Sequence, residues 1–151
     1  MAKAKPDQEP VLDQSLSGIV GYNLKRAYIA FADDFKATEA LDGISARLFA
    51  ALCLIADFPN INQSELARKL GIERSGMVKL IDQLEDKGFI QRVAVAGDRR
   101  AYALVATADG RLACSRYKQA VEQHEAKLLA GFTSSERQLL LDFLHRLQKQ
   151  G

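Results

Sequence analysis

The chain is short of the residues from which many functional sites are built. It has two cysteines and two histidines in 151 residues, and their spacing fits no zinc or cluster site. Cys53 and Cys114 form no framework of the kind that staples small secreted domains. Cys53 sits among Leu52, Leu54 and Ile55 and reads as a core thiol. Cys114, near the start of a helical stretch, reads as a packed small residue, with an acidified thiol as the alternative. His124 and His145 read as ordinary helix residues, so no metal is expected. No apolar run approaches the ~20 residues that span a bilayer. The polar segment Met1–Pro10, with Lys3 and Lys5, lacks the apolar stretch of a signal peptide. A cytoplasmic protein without a membrane partner is therefore expected, with residues 1–10 as a flexible tail. There is no nucleophile–base constellation, no pair of carboxylates suited to a cleft and no phosphate-cradling glycine loop, which argues against an enzyme and against a cofactor. Asp82, Glu85 and Asp86 read as a solvated helix face.

Charge of one sign is also lacking. The net charge is +2. Between Asn62 and Arg111, nine Lys/Arg stand against seven Asp/Glu, and nine minus seven is again +2. Net charge therefore does not predict nucleic-acid binding; the placement of basic residues has to carry that argument.

What the sequence does have is ordered helical periodicity. A composition 48% hydrophobic and 26% charged fits one ordinary domain, here residues 11–151. Leu16, Ile19, Val20, Asn23, Leu24, Ala27, Tyr28 and Phe31 form a helical stripe that begins from Leu12 and fades near Leu41-Asp42-Gly43. Ser45 is a candidate N-cap for a helix with Leu48, Leu52 and Ile55 on one face, ended by Pro59-Asn60. Asn62 and Glu65 form a capping-box pair before a helix with Leu66, Leu70 and Ile72 inward. Gly71 supplies a turn. A longer helix follows from Glu73 to Lys87, with Val78, Leu80, Ile81 and Leu84 assigned to the core. After Gly88, Ile90–Val95 and Arg99–Val105 read as two strands around Ala96-Gly97-Asp98. Thr107 caps a helix to about Leu129, and Thr133 with Glu136 opens a last helix carrying Leu139, Leu140, Phe143, Leu144 and Leu147.

Helix, glycine turn, helix, basic hairpin is the order of a winged helix-turn-helix, a reader of duplex DNA. A major groove admits one α-helix, whose first turns reach the base edges. Arg74, Ser75, Gly76, Met77 and Lys79 lie on the face assigned to that role. Ser64 and Arg68 on the preceding helix are candidates for backbone contacts, which fix register rather than sequence. Arg99 and Arg100 at the hairpin tip suit a neighbouring minor groove, with Asp98 as a brace that pairs with an arginine. The fold class expected is mainly α with a small β-hairpin wing: a winged helix-turn-helix lobe at 45–106, with 11–44 and 107–151 as a helical dimerisation region.

These residues resemble the MarR family of bacterial transcription regulators. The resemblance runs from about Leu12 to Leu147. It rests on Asp98-x-Arg100-x-x-x-Leu104, on Thr107-x-x-Gly110, on Leu66-Ala67-x-x-Leu70-Gly71-Ile72 and on the run from Val78 to Ile90. Glu73 stands where family members often carry Ser or Thr. The resemblance implies a homodimer in which the first helix and the last two helices intertwine with those of a second copy, on a pseudo-palindromic operator. The apolar residues Leu16, Val20, Phe31, Leu140, Phe143, Leu144 and Leu147 independently ask for such cover. The resemblance also implies repression relieved by a small aromatic or phenolic acid in a cleft near the dimerisation helices, for which Tyr22, Asn23, Arg26 and Arg47 are candidates; Asn23 bonding across an interface is the alternative for that residue. Some relatives sense peroxide through a cysteine near the start of the first helix. No cysteine precedes Cys53, so that mode does not carry over. A thiol-based redox-sensing regulator and a winged-helix protein-interaction module are the alternative functions.

Overall fold

The computed structural model describes residues 15–39 and 43–150, with the side chains of residues 34, 35, 37–39, 99 and 100 outside the description. The expected tail, the helix onset at Leu12 and the fading at Leu41-Asp42 lie outside the described residues. The elements are α1 (Val20–Glu39), α2 (Ala46–Asp57), β1 (Ile61–Asn62), α3 (Gln63–Leu70), α4 (Arg74–Asp86), β2 (Ile90–Val95), β3 (Asp98–Ala106), α5 (Ala108–Leu128) and α6 (Ser134–Gln148). Leu16, expected within the first helix, lies instead in the turn before it, where its carbonyl accepts from the Ile19 N–H.

Local chemistry sets most boundaries. The Ser45 hydroxyl accepts from the Leu48 N–H and starts α2. Asn62 and Glu65 form the full capping box of α3, which ends on Gly71 at φ 62°, a conformation that an L side chain adopts only with strain. Thr107 caps α5 through the Gly110 N–H. Thr133 and Glu136 form the capping box of α6. There the Thr133 N–H and hydroxyl donate to the Glu136 carboxylate at 2.7 and 2.8 Å, and they hold its pKa below the ordinary 4.5. A depressed carboxylate contributes stability that is present above the unfolded pKa and is lost as pH falls through the folded one. The start of α6 should therefore lose hydrogen-exchange protection on going from about pH 5 to about pH 3. Glu136→Gln should remove most of that pH dependence; an unchanged profile in the variant would contradict the assignment.

One continuous core joins α2, α3, α4, the sheet and the first half of α5. Ile44, Leu52, Ile55, Leu66, Ile81, Leu84, Ile90 and Leu104 are its large fully buried members. In α4 Ile81 and Leu84 are buried as expected, and the sequence reading errs only in placing Val78 rather than Met77 in the core. Met77 is 0% exposed and Val78 39%. Met77, Ile81 and Leu84 fall at i, i+4 and i+7, so they share the face that packs on α2 and α3, and Met77 is a core residue rather than a DNA contact. The sheet holds a strand that the sequence did not reveal. β1 pairs Ile61 with Leu104, so the order is β1-β3-β2. Two residues carry too little alternation to announce a strand.

The two cysteines are joined. Cys53 on α2 and Cys114 on α5 form a disulfide with Cα atoms 5.7 Å apart across a sequence separation of 61. This corrects the reading of two independent thiols. The pairing arises because the α2 face bearing Ala51, Leu52 and Ile55 packs on the α5 face bearing Ala113 and Tyr117, which no local pattern can show.

Outside this core the helices are apolar and uncovered. Val20 is 66% exposed, Phe143 48% and Leu147 49%; Leu140 is exposed too, and Phe31 and Leu144 are half-buried. No described helix is long and apolar enough to cross a membrane.

Candidate nucleic-acid interface

The first turn of α4 projects from the lobe. Arg74 and Ser75 are exposed on it, and Lys79 is exposed on the next turn. Glu73 occupies the N-cap and makes no side-chain capping bond, so the departure from Ser or Thr there leaves an N–H of the first turn without that partner. At Gly76 a Cβ would lie 3.2 Å from Cγ2 of Ile72, so the Ile72 side chain would have to give by a few tenths of an ångström to admit one. Ser64 and Arg74 border one hollow of about 390 Å³ together with Gln63, Arg92, Ala101 and Tyr102 of the neighbouring elements. The structure thus brings Ser64, Arg74 and the wing to one side. Arg68 is exposed but borders a separate hollow beside Phe58 and Lys69, whose Nζ lies 4.3 Å from the Phe58 ring centre.

The wing is a β2–β3 hairpin with Gly97 at φ 87° in its turn. Ala94 pairs with Tyr102 and the next residue, Val95, pairs with Asp98, so residues 99–101 fall in the irregularity between. A bulge of this kind re-aims side chains and increases local twist. The side chains of Arg99 and Arg100, and with them the expected pairing of Asp98 with an arginine, lie outside the description; Asp98 itself is exposed.

A tether joins β2 to α4. The guanidinium of Arg92 on β2 donates to Glu85 and to Asp82, both on α4. The hydrogen bond to Asp82 leads in holding the Arg92 pKa above its ordinary value, with burial opposing. Asp82 and Glu85 are therefore not simply a solvated face; they tether the wing to the helix that carries Arg74. Because these pairs are partly exposed, Arg92→Ala should cost only about 1 kcal/mol of stability. It should also loosen the wing, read as faster hydrogen exchange along β2, and unchanged exchange there would remove the tether.

A second feature lies between α1, the start of α2 and α5. A cavity of about 390 Å³ is walled by Tyr28, Phe31, Val121 and Leu128, with Arg47 and His124 among its polar lining. Lys36 also borders it and pairs with Asp33 at 3.0 Å.

The family model described as MarR family matches residues 44–102. A candidate transcriptional regulatory protein for the hcr operon of Thauera aromatica is 35% identical over 148 residues, which cover 97% of this chain and 89% of that protein. The chain belongs to the MarR family. Among solved structures it resembles the transcriptional repressor CouR bound to a 23-mer DNA duplex, with TM-score 0.85 and 33% identity over 93% of this chain and 99% of that one. It also resembles CouR bound to p-coumaroyl-CoA, with TM-score 0.80 and 30% identity over 94% and 100% of the two chains.

Within this MarR-family fold, the winged helix-turn-helix expected from the sequence is present, mainly helical with a three-stranded sheet. Of the four residues expected at an effector, Arg47 alone lines the cavity between α1, α2 and α5. Tyr22 and Arg26 do not line it. The Asn23 amide donates to the carbonyls of Ser17 and Ile19 at 2.9 and 2.8 Å and so closes the start of its own helix. Tyr28 and His124, which come from helices remote in sequence, line the same cavity. The stripe that contains Tyr28 was their only signal in the sequence.

Proposed function

We propose that the chain is a homodimeric transcriptional repressor that binds a pseudo-palindromic duplex and is released by an aromatic acyl compound. The observation that carries the DNA reading is the grouping of exposed Ser64, Arg74, Ser75 and Lys79 beside a wing tethered to the same helix. In this reading Arg74 and Lys79 reach base edges or phosphates in the major groove, Ser64 contacts the backbone, and Arg99 and Arg100 enter the adjacent minor groove. Arg68 is a peripheral phosphate contact.

Residues 11–44 and 107–151 serve dimerisation. Support comes from the uncovered apolar surface on α1 and α6, since patches of that kind mark interfaces. A two-fold pair of lobes would meet successive major grooves about 34 Å apart.

The effector site is the α1–α2–α5 cavity. Its volume of about 390 Å³ lies at the small end of ordinary ligand sites and suits an aryl group. Tyr28 and Phe31 offer aromatic walls, and Arg47 offers a cation for a carboxylate or for the phosphates of a coenzyme A thioester. The binding of p-coumaroyl-CoA by CouR favours an aryl thioester over a free acid. A thermal-shift comparison of p-coumaroyl-CoA, p-coumarate and salicylate tests this, because a ligand of the native state raises stability by mass action. The thioester should shift the transition most, and the shift should shrink in Arg47→Ala. No shift with any of the three would remove the aromatic-acyl reading.

A further inference from the structure

Two elements of the lobe reach for different grooves, and one strand of DNA must pass between them. In the reading above, α4 enters a major groove and the wing tip the adjacent minor groove. Neighbouring grooves are separated by one sugar–phosphate strand, so whatever lies between α4 and the wing faces that strand. What lies there is the hollow of about 390 Å³ bordered by Gln63 and Ser64 at the start of α3, Arg74 at the start of α4, and Arg92 and Tyr102 on the wing strands. Register places Tyr102 in it. Arg92 pairs with Leu104 and Ala94 with Tyr102, so these four share one face of the hairpin. Leu104 is 2% exposed in the core, and Tyr102, two residues before it on the same face, is 52% exposed where the core has ended. Gln63 is half-buried at the first position of α3.

We propose that Tyr102 and Gln63 bind the sugar–phosphate strand between the two grooves, and so fix the register of the lobe on DNA without reading bases. The electrostatics of the hollow suit this strand. Among the described residues no carboxylate borders it. Asp82 and Glu85 are drawn to Arg92, and Glu65 borders the separate hollow beside Phe58 and Lys69. The charge of Arg92 is balanced by its two carboxylates. Beyond Arg74, the groups that meet a phosphate there are neutral donors: the Tyr102 hydroxyl, the Gln63 amide and the Ser64 hydroxyl already assigned to a backbone contact. A neutral donor gains strength when its acceptor is a charged oxygen. It displaces no counterion, because counterion release follows the positive charge brought to the phosphates. The ring of Tyr102 adds apolar contact with the deoxyribose. Tyr102 and Gln63 therefore contribute affinity that is the same on every base sequence and indifferent to salt, unlike that of the arginines. They hold the lobe against the strand while Arg74 reads on one side of it and the wing tip on the other.

This rests on the DNA-binding reading, so the test begins with a duplex that the wild-type chain selects from a random library. A chain that selects nothing fails that reading, and this inference with it. Tyr102→Phe, which removes only the hydroxyl, and Gln63→Ala are then titrated against the selected duplex and a scrambled one over a range of salt. Each variant should bind both duplexes about tenfold more weakly, as expected for a lost hydrogen bond to a charged group, with the slope of affinity against salt unchanged. The melting temperature should stay that of the wild type, since Tyr102 is largely exposed and such substitutions are close to neutral. A positional readout comes from replacing each phosphate of the selected duplex in turn by an uncharged methylphosphonate. In the wild type, replacements on the strand between the two grooves should weaken binding. In Tyr102→Phe one of those phosphates in each half-site should cease to matter, while the others keep their effects. Unchanged affinity in either variant, a loss confined to the selected duplex, or a phosphate profile unaltered by Tyr102→Phe overturns the proposal.

Discussion

Arg74→Ala should weaken operator binding by about 2 kcal/mol, roughly thirtyfold, and leave the dimer and its melting temperature unchanged. Arg74 is the first residue of α4 and is exposed, so its removal disturbs no core contact, and surface substitutions of that kind are usually within about 0.5 kcal/mol of neutral. Its value lies in the complex, where a guanidinium can bind guanine at two points. Lysine at the same position keeps the charge but not the planar fork. Arg74→Lys should therefore restore much of the salt-sensitive affinity while discriminating less between operator and scrambled duplex. Titrations of both variants against the two duplexes check this. Equal losses on operator and scrambled DNA would make Arg74 a phosphate contact, and no loss in either would take it out of the interface.

Gly110→Ala should cost about 2–3 kcal/mol of stability and lower the melting temperature by about 8 °C. In the middle of a helix that change is ordinarily favourable by about 1 kcal/mol. Here a Cβ would lie 1.9 Å from the carbonyl oxygen of Phe89 and 2.8 Å from its carbonyl carbon. The obstacle is backbone, and that backbone is held: the Thr107 N–H donates to the Phe89 carbonyl at 2.9 Å and the Thr107 hydroxyl to the Gly88 carbonyl at 2.7 Å. To admit a methyl group, α5 must lift off the end of α4 and break this junction. Gly131→Ala is the control, since a Cβ there meets nothing within 4 Å. A neutral Gly110→Ala in thermal or urea unfolding would mean that α5 docks less tightly than the structure has it. The loss should also reach function, because the same junction orients the wing strands relative to α5.

What the sequence reveals and what it hides divide along one physical line. The caps at Ser45, Asn62, Thr107 and Thr133 were legible because each is a contact over three residues. Gly71 was legible because a left-handed residue between two helices selects glycine. The Thr107-x-x-Gly110 motif was visible as a pattern, but its cause, the carbonyl of Phe89, belongs to another element. Met77 and Val78 were exchanged because a helix of 13 residues carries too few turns to fix the edge of its buried face when apolar residues flank the stripe on both sides. The Arg92 tether spans seven and ten residues across a helix–strand boundary, and the disulfide spans 61; neither spacing belongs to any local period. The cavity draws on α1, α2 and α5 together. Arg47 was found in it by its charge, whereas Tyr28 and His124 needed the packing.

The face bearing Arg74 and the wing should bind duplex DNA as a two-fold pair. Fluorescence anisotropy of the chain on a duplex selected from a random library, repeated between about 50 and 200 mM salt, measures this. Saturation should come at two chains per duplex, with the affinity falling by about 10³ or more over that range, as expected when about six or more phosphates are neutralised. Binding of one chain per duplex, or an affinity indifferent to salt, would contradict it.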